Sequence, residues 1–147
     1  MPHHQRWMNG GAFDGGQLST EERELRAYYR KLLQLTLKEP AFSGSYASLH
    51  GFNRQHTKWY NDRVYSFVRW QGEERILVVS NFSASDSYGF ELQLPEELVR
   101  TWAWKPGTYA VEELLEGVSM PALQVEDRAT IRVDLAPLQS LVLRLPA

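Results

Sequence analysis

A change of hydrophobic period at Pro40 most constrains how this 147-residue chain can fold. Before Pro40, the capping box Ser19-x-x-Glu22 predicts the start of an amphipathic helix, in which apolar residues recur at spacings of three and four. The apolar stripe consists of Leu25, Tyr28, Tyr29, Leu32 and Leu33. After Pro40 the pattern has period 2 and stays so to the end. Because no second long helix follows, the stripe needs a partner of another kind.

The residues after Pro40 predict short β-strands. Alternation over Val64–Trp70 is followed by a turn at 71–74 and by Ile76–Val79, which is apolar on both faces and typical of a central, covered strand. Further alternating apolar residues are Phe90, Leu92, Leu94, Ile131, Val133, Leu135, Leu141, Leu143 and Leu145. Pro95–Val99 predicts one helical turn with proline at its first position. We therefore predict a mainly β fold, an antiparallel Greek-key-type β-sandwich preceded by one amphipathic α-helix.

Composition limits the partners and cofactors. The net charge is −2 and the 16 Lys and Arg residues are spread along the chain, so neither nucleic acid nor an anionic membrane is favoured. The chain has no cysteine, and its four histidines, His3, His4, His50 and His56, lack the spacing of a metal site. We expect no metal and no cofactor. The polar N-terminus does not resemble a signal peptide, so any export signal is expected outside this chain and the location stays open.

Acidic side chains are the first candidates for hydrolytic chemistry. A typical polysaccharide hydrolase needs two carboxyl groups that face one sugar. The chain has three adjacent pairs, Glu73-Glu74, Glu96-Glu97 and Glu112-Glu113. Neighbouring residues on a strand point to opposite faces, and each pair lies by a predicted turn or polar edge. We interpret all three as solvated surface.

Tryptophans are the second candidates. Trp102 and Trp104 would face the same way if they lay on a strand, where two exposed indoles could stack against sugar rings. The same spacing pointing inward is core or domain-interface packing, which we favour. Trp59 and Tyr60 lie in a predicted loop over Phe52–Asp62, where they cap the sandwich or contact a neighbouring domain.

Several segments resemble the C-terminal part of an α-amylase-type enzyme of glycoside hydrolase family 13. The matching segments are Pro2–Trp7, Asn9–Phe13, Leu25–Leu33, Val64–Arg69, Leu77–Phe82, Tyr109–Gly117 and Ile131–Leu145. The resemblance implies that 1–18 is the loop after the last barrel strand, 19–39 the last barrel helix, and 40–147 the all-β domain C. In isolation we expect 1–18 to be mobile, because the strands that would anchor it are missing.

The resemblance also limits the chemistry. The family's nucleophile, general acid and third carboxylate reside on earlier barrel strands, and their motifs do not occur in this chain. No residue here inherits a catalytic role. The resemblance places Trp7, Asn9 and Phe13 at the edge of the parent's substrate cleft, on the barrel face where active sites are built.

Three functions follow as hypotheses. The first is a non-catalytic domain that covers and stabilises the catalytic barrel of a retaining enzyme acting on α-glucans, as the resemblance implies. The second is a carbohydrate-binding module that holds starch-like glucan through Trp102 and Trp104, or through Trp59. The third is an interaction domain, in which the stripe of Leu25, Tyr28, Tyr29 and Leu32 pairs with a second copy. The stripe must cover the sandwich, meet that second copy or stay exposed.

Overall fold

The structure is a computed structural model that describes residues 44–147. The loop predicted over 1–18, the helix predicted over 19–39 with its apolar stripe, and the three predicted cleft-edge residues, Trp7, Asn9 and Phe13, lie outside the described residues.

The described chain forms nine strands and two short helices. The strands are β1 (Ser45–Ser48), β2 (Val64–Gln71), β3 (Glu74–Asn81), β4 (Tyr88–Leu94), β5 (Gly107–Tyr109), β6 (Glu112–Glu113), β7 (Leu123–Val125), β8 (Ala129–Leu135) and β9 (Ser140–Arg144). The helices are α1 (His50–His56) and α2 (Glu96–Thr101). In the described part of the chain, neither helix is long and apolar enough to cross a membrane.

The strands make two antiparallel sheets that enclose one core. The five-stranded sheet has the order β1-β2-β3-β9-β6, and the four-stranded sheet has the order β4-β8-β7-β5. Alternate residues of each strand point into the space between the sheets, as the pairing of Val68 with Leu77 and of Leu77 with Leu143 shows. Phe90, Leu92 and Leu94 enter the same core from the other side. The predicted mainly β, antiparallel sandwich is confirmed.

The hairpin between β2 and β3 follows the sequence pattern closely. Gln71 pairs with Glu74, so that Gly72 and Glu73 form a two-residue loop in which Gly72 has a φ of 60°. A positive φ at this place suits glycine, because the turn must match the right-handed twist of the strands. β3 is buried from Arg75 to Asn81, as its apolar sequence predicted.

The loop predicted over 52–62 is partly wrong, because α1 occupies its first half. The hydrophobic pattern missed α1 because two of its anchors are polar. Asn53 is fully buried, and Thr57, which ends the helix, is nearly so. The turn predicted over 95–99 lies in α2, which begins one residue later, at Glu96, and continues to Thr101, so that Pro95 is the N-cap and not the first helical residue.

The two outer faces of the sandwich differ in character. On the four-stranded sheet, the outward residues Glu91, Arg132 and Asp134 are exposed and charged. On the five-stranded sheet, the outward residues Ile76, Val78 and Val142 are fully buried and form a second apolar cluster. Partly buried apolar side chains, Phe67, Leu114 and Leu115, pack against this cluster. We call these six residues the outer apolar face.

Candidate functional site

Trp102 and Trp104 do not form an exposed platform. Trp102 ends α2 and Trp104 follows it, so neither lies on a strand as the stacking prediction required. Both belong to the main core, and their ring centroids lie 4.9 Å apart. Trp70 meets Trp102 edge-on at 5.3 Å. This arrangement matches the favoured prediction of core packing and leaves no flat indole surface for a sugar.

Polar atoms tie the two tryptophans to the end of the chain. The carbonyl of Pro146 accepts hydrogen bonds from Trp104 Nε1 and from Arg75 Nη1, both at 3.1 Å. The Arg75 guanidinium lies 5.4 Å from the Trp102 ring centroid, and burial lowers the pKa of Arg75. Trp102 Nε1 finds no hydrogen-bond partner among residues 44–147. The cluster therefore has a structural role, because it fixes the segment around Pro146 to the core.

Trp59 is placed quite differently. Its side chain is 71% exposed, and its backbone has a φ of 73°. The left-handed region is strained for a bulky residue, and such strain persists only where neighbouring structure imposes it. Trp59 and Tyr46 are the large hydrophobic residues that are exposed in the described chain. Trp59 lines a cleft of about 920 Å³, which we call the Trp59 cleft.

Asn53 positions the segment that presents Trp59. Its Nδ2 donates to the carbonyls of Leu49 and Gln93, both at 2.9 Å. Its Oδ1 accepts from Gln93 N at 2.8 Å and from Thr57 Oγ1 at 2.6 Å. Because β4 is the edge strand of its sheet, the Asn53 amide pairs with strand backbone that has no neighbouring strand on that side. Asn53 thereby fixes α1, and the loop after it, to the sandwich.

Tyr60 anchors the other side of the same loop. Its ring lies in the core against Phe90, at a centroid distance of 5.1 Å. Its hydroxyl is within hydrogen-bond distance of Ser66 Oγ at 2.9 Å and of His50 Nδ1 at 3.2 Å. Burial raises the pKa of Tyr60. Asn53 and Tyr60 thus anchor the backbone before and after Trp59, whose exposed ring lies 5.2 Å from Lys58 Nζ.

An ion pair lines the Trp59 cleft. Arg132 Nη2 lies 2.8 Å from Asp134 Oδ1, and Arg132 Nη1 reaches Glu91 at 3.4 Å. The hydrogen bond from Arg132 lowers the pKa of Asp134, and the same bond raises the pKa of Arg132. A Cβ at Gly89 would lie 2.4 Å from Arg132 Nη2 and 2.6 Å from Asp134 Oδ1. Gly89 therefore leaves the space in which the pair lies.

Further polar groups line the Trp59 cleft. Asn61 and Gln139 contribute amides, and Tyr88 contributes a second, half-buried aromatic ring. Sequence patterns did not indicate these residues, because they come from three segments that meet only in the fold. Trp59 was the one predicted site residue of the described chain that proved exposed.

Glu113 corrects the expectation that all three acidic pairs are solvated. It is 4% exposed, and its carboxylate accepts hydrogen bonds from the backbone N–H groups of Val142, Leu115, Glu116 and Val118. Burial alone would raise the pKa of Glu113, but the four backbone donors together lower it. Glu113 organises the 113–118 loop beside β9. The role of Glu113 is structural, because both of its carboxylate oxygens accept hydrogen bonds from backbone N–H groups of the same domain.

Metal-ligating and acidic side chains are the remaining candidates in the described residues. Among residues 44–147, no group of three or more His, Cys, Asp or Glu side chains lies close enough to hold a metal ion. The remaining members of the acidic pairs, Glu73, Glu74, Glu96, Glu97 and Glu112, are exposed. The Trp59 cleft and the outer apolar face are therefore the two surfaces of the described residues that call for a functional explanation.

Comparison with known proteins gives a consistent result. The family described as "Alpha amylase, C-terminal all-beta domain" matches residues 56–146. The solved structure of AmyP in complex with maltose is similar with a TM-score of 0.50 and 21% identity, covering 89% of this chain and 22% of that one. The trehalulose synthase MutB, as its A258V mutant with Tris, has a TM-score of 0.50 and 27% identity over 81% of this chain and 17% of that one. The chain thus spans about a fifth of these structures' length. No curated protein matches.

Proposed function

This chain belongs to the family of the alpha-amylase C-terminal all-beta domain, and on that premise we propose that it covers and stabilises the catalytic barrel of an enzyme acting on α-glucans. The proposed role is non-catalytic. The parent would cleave or rearrange its substrate by the retaining two-carboxylate mechanism, with residues outside this chain.

The observation that carries the proposal is the outer apolar face. An antiparallel sheet whose outer face meets water has alternating polar residues there, as the four-stranded sheet has. Ile76, Val78 and Val142 instead are buried, with exposed fractions of 0%, 1% and 0%. Apolar residues on both faces are typical of a sheet that lies between two layers. The five-stranded sheet is therefore suited to pack against a further element.

The chain itself supplies a candidate for that element. The predicted helix ends at about residue 39 and β1, the edge strand of the five-stranded sheet, begins at Ser45. Six residues reach at most about 20 Å when extended. Five strands spaced by about 4.8 Å span about 19 Å. A helix that ended at residue 39 would thus end within about one sheet width of β1, and we infer that the predicted stripe packs on the outer apolar face as the layer between sandwich and barrel.

A double-mutant cycle in the 147-residue chain tests this packing. Leu32→Ala and Phe67→Ala are made singly and together, and the free energy of unfolding is measured in urea. Side chains in one packed cluster couple by about 0.5 kcal/mol or more. Leu32→Ala with Tyr88→Ala, on the other sheet, is the control and should be additive. Additivity in the first pair as well would contradict the proposed packing.

Two further measurements separate the alternatives. Light scattering over a range of concentrations detects a dimer that is formed through the stripe. A dimer that Leu32→Ser converts to monomer would favour the interaction-domain hypothesis instead. Reducing-end assays on soluble starch and maltoheptaose should detect no hydrolysis by this chain, and hydrolysis would overturn the non-catalytic role.

A further inference from the structure

We propose that the Trp59 cleft is a binding site for an oligosaccharide, in which the exposed indole stacks on the face of a pyranose ring. The inference rests on the proposed function only for the choice of α-glucan as the sugar. It concerns a surface that is separate from the outer apolar face, because the cleft lies against the four-stranded sheet.

The first step is the conformation of Trp59. An exposed tryptophan forgoes burial of one of the largest apolar side chains, and a left-handed backbone adds strain. The fold maintains both features through neighbouring groups, since Asn53 fixes α1 and Tyr60 is buried in the core. In a flexible surface loop, Trp59 would leave the left-handed region and bury its ring. The backbone on both sides of Trp59 is thus fixed, so that little backbone ordering is left to occur on binding.

The second step is the chemistry around the ring. Sugar rings present apolar C–H faces, which stack on indoles, and hydroxyl edges, which exchange hydrogen bonds with planar polar groups. The Trp59 cleft holds both kinds of partner. Asp134 and Arg132 offer charged acceptors and donors, and Asn61 and Gln139 offer amides. Small-molecule sites commonly combine an aromatic surface with a few polar groups in this way.

The third step is the geometry of the ion pair that lines the cleft. Arg132 lies across the strands, held by Asp134 and by Glu91, in the space left by Gly89. The charges of Arg132 and Asp134 in the lining balance each other, and the flexible Lys58, whose Nζ lies 5.2 Å from the Trp59 ring centroid, would have to move aside for a stacked sugar. A neutral, hydroxyl-rich ligand fits these groups better than a phosphate or a polycation.

The test is a titration of the 147-residue chain with maltoheptaose at millimolar concentrations, followed by calorimetry and by the NMR signals of the indole N–H groups. Cellohexaose is the comparison sugar. We expect saturable binding of maltoheptaose, with the shifted signal assigned to Trp59. Trp59→Ala should weaken binding by at least about tenfold, which is 1.4 kcal/mol.

Two variants keep the test decisive. Tyr46→Ala removes the other exposed aromatic ring, which lies on the five-stranded sheet, and should leave binding unchanged. Gly89→Ala displaces the ion pair at its flexible ends and should weaken binding while the chain remains folded. Binding that persists in Trp59→Ala, or no binding of maltoheptaose at millimolar concentration, would overturn the site. Neither result bears on the Leu32–Phe67 coupling, so the covering role is judged separately.

Discussion

Replacing Asn53 by alanine should destabilise the sandwich strongly, although the residue is a short polar one outside the apolar core. The change removes four hydrogen bonds, which join the amide to Leu49, Gln93 and Thr57. Each buried hydrogen bond contributes about 1 kcal/mol net, and a buried group left without a partner costs about 1–3 kcal/mol. Leu49 O keeps its bond from Asn53 N. Gln93 loses partners for both its N–H and its carbonyl.

The sum predicts a loss of about 3–5 kcal/mol, a large share of the 5–15 kcal/mol typical of a folded domain. Urea unfolding, followed by tryptophan fluorescence, measures it. Asn61→Ala is the matched control, because Asn61 Oδ1 accepts one hydrogen bond, from Arg63 N, at an exposed turn. That variant should lose about 0.5 kcal/mol. Equal losses in the two variants would refute the claim that the amide replaces a missing strand partner at the edge of β4.

Three further changes test other contacts. Glu113→Gln should lower the free energy of unfolding by about 1–3 kcal/mol at neutral pH, because the charge strengthens the bonds from four backbone donors. Since folding lowers the pKa of Glu113, this contribution is full above the unfolded pKa of about 4.3 and is lost as the pH falls through the folded pKa. The unfolding curves of the two proteins should therefore converge in acid. Gly44→Ala places a Cβ 2.0 Å from Trp70 O, so that the backbone must move. The amides of β1 should then lose protection from hydrogen exchange relative to those of β2, and an unchanged exchange pattern would contradict the close approach. Trp104→Phe removes the bond to Pro146 O and should lower the free energy of unfolding by about 1 kcal/mol, or more if the smaller ring leaves a cavity; no loss would mean that water replaces the bond.

The sequence predicted the strands well because their burial alternates with the backbone. Val64 and Val68 point into the core, whereas Phe67, between them, points to the opposite side and belongs to the outer apolar face. The apolar run of β3 indicated a strand covered on both sides, and β3 is buried on both. In each case a side chain's environment follows from the period of the strand alone, so a one-dimensional pattern was sufficient.

Side chains whose environment depends on distant backbone were not predictable in this way. Asn53 is buried because Gln93, forty residues away, offers its N–H and carbonyl. Glu113 is buried because the loop that follows it turns three N–H groups toward its carboxylate and β9 supplies a fourth, from Val142. Core packing of Trp102 and Trp104 was favoured from their spacing on a strand, but it arises differently, because α2 extends to Thr101 and carries Trp102 into the core. The Trp59 cleft combines three separate segments, which no local pattern relates.

The position of β9 has a consequence for the order in which the chain becomes structured. β9 pairs with β3 on one side and with β6 on the other, although about sixty residues separate Ser80 from Ser140. During synthesis, β3 therefore leaves the ribosome long before its inner neighbour exists. Until then the run Ile76–Val79 has an open edge and no core, which makes it prone to wrong pairing. The sandwich can close only when the last strand has been made, so nascent chains of this protein should depend on chaperones that shield β3.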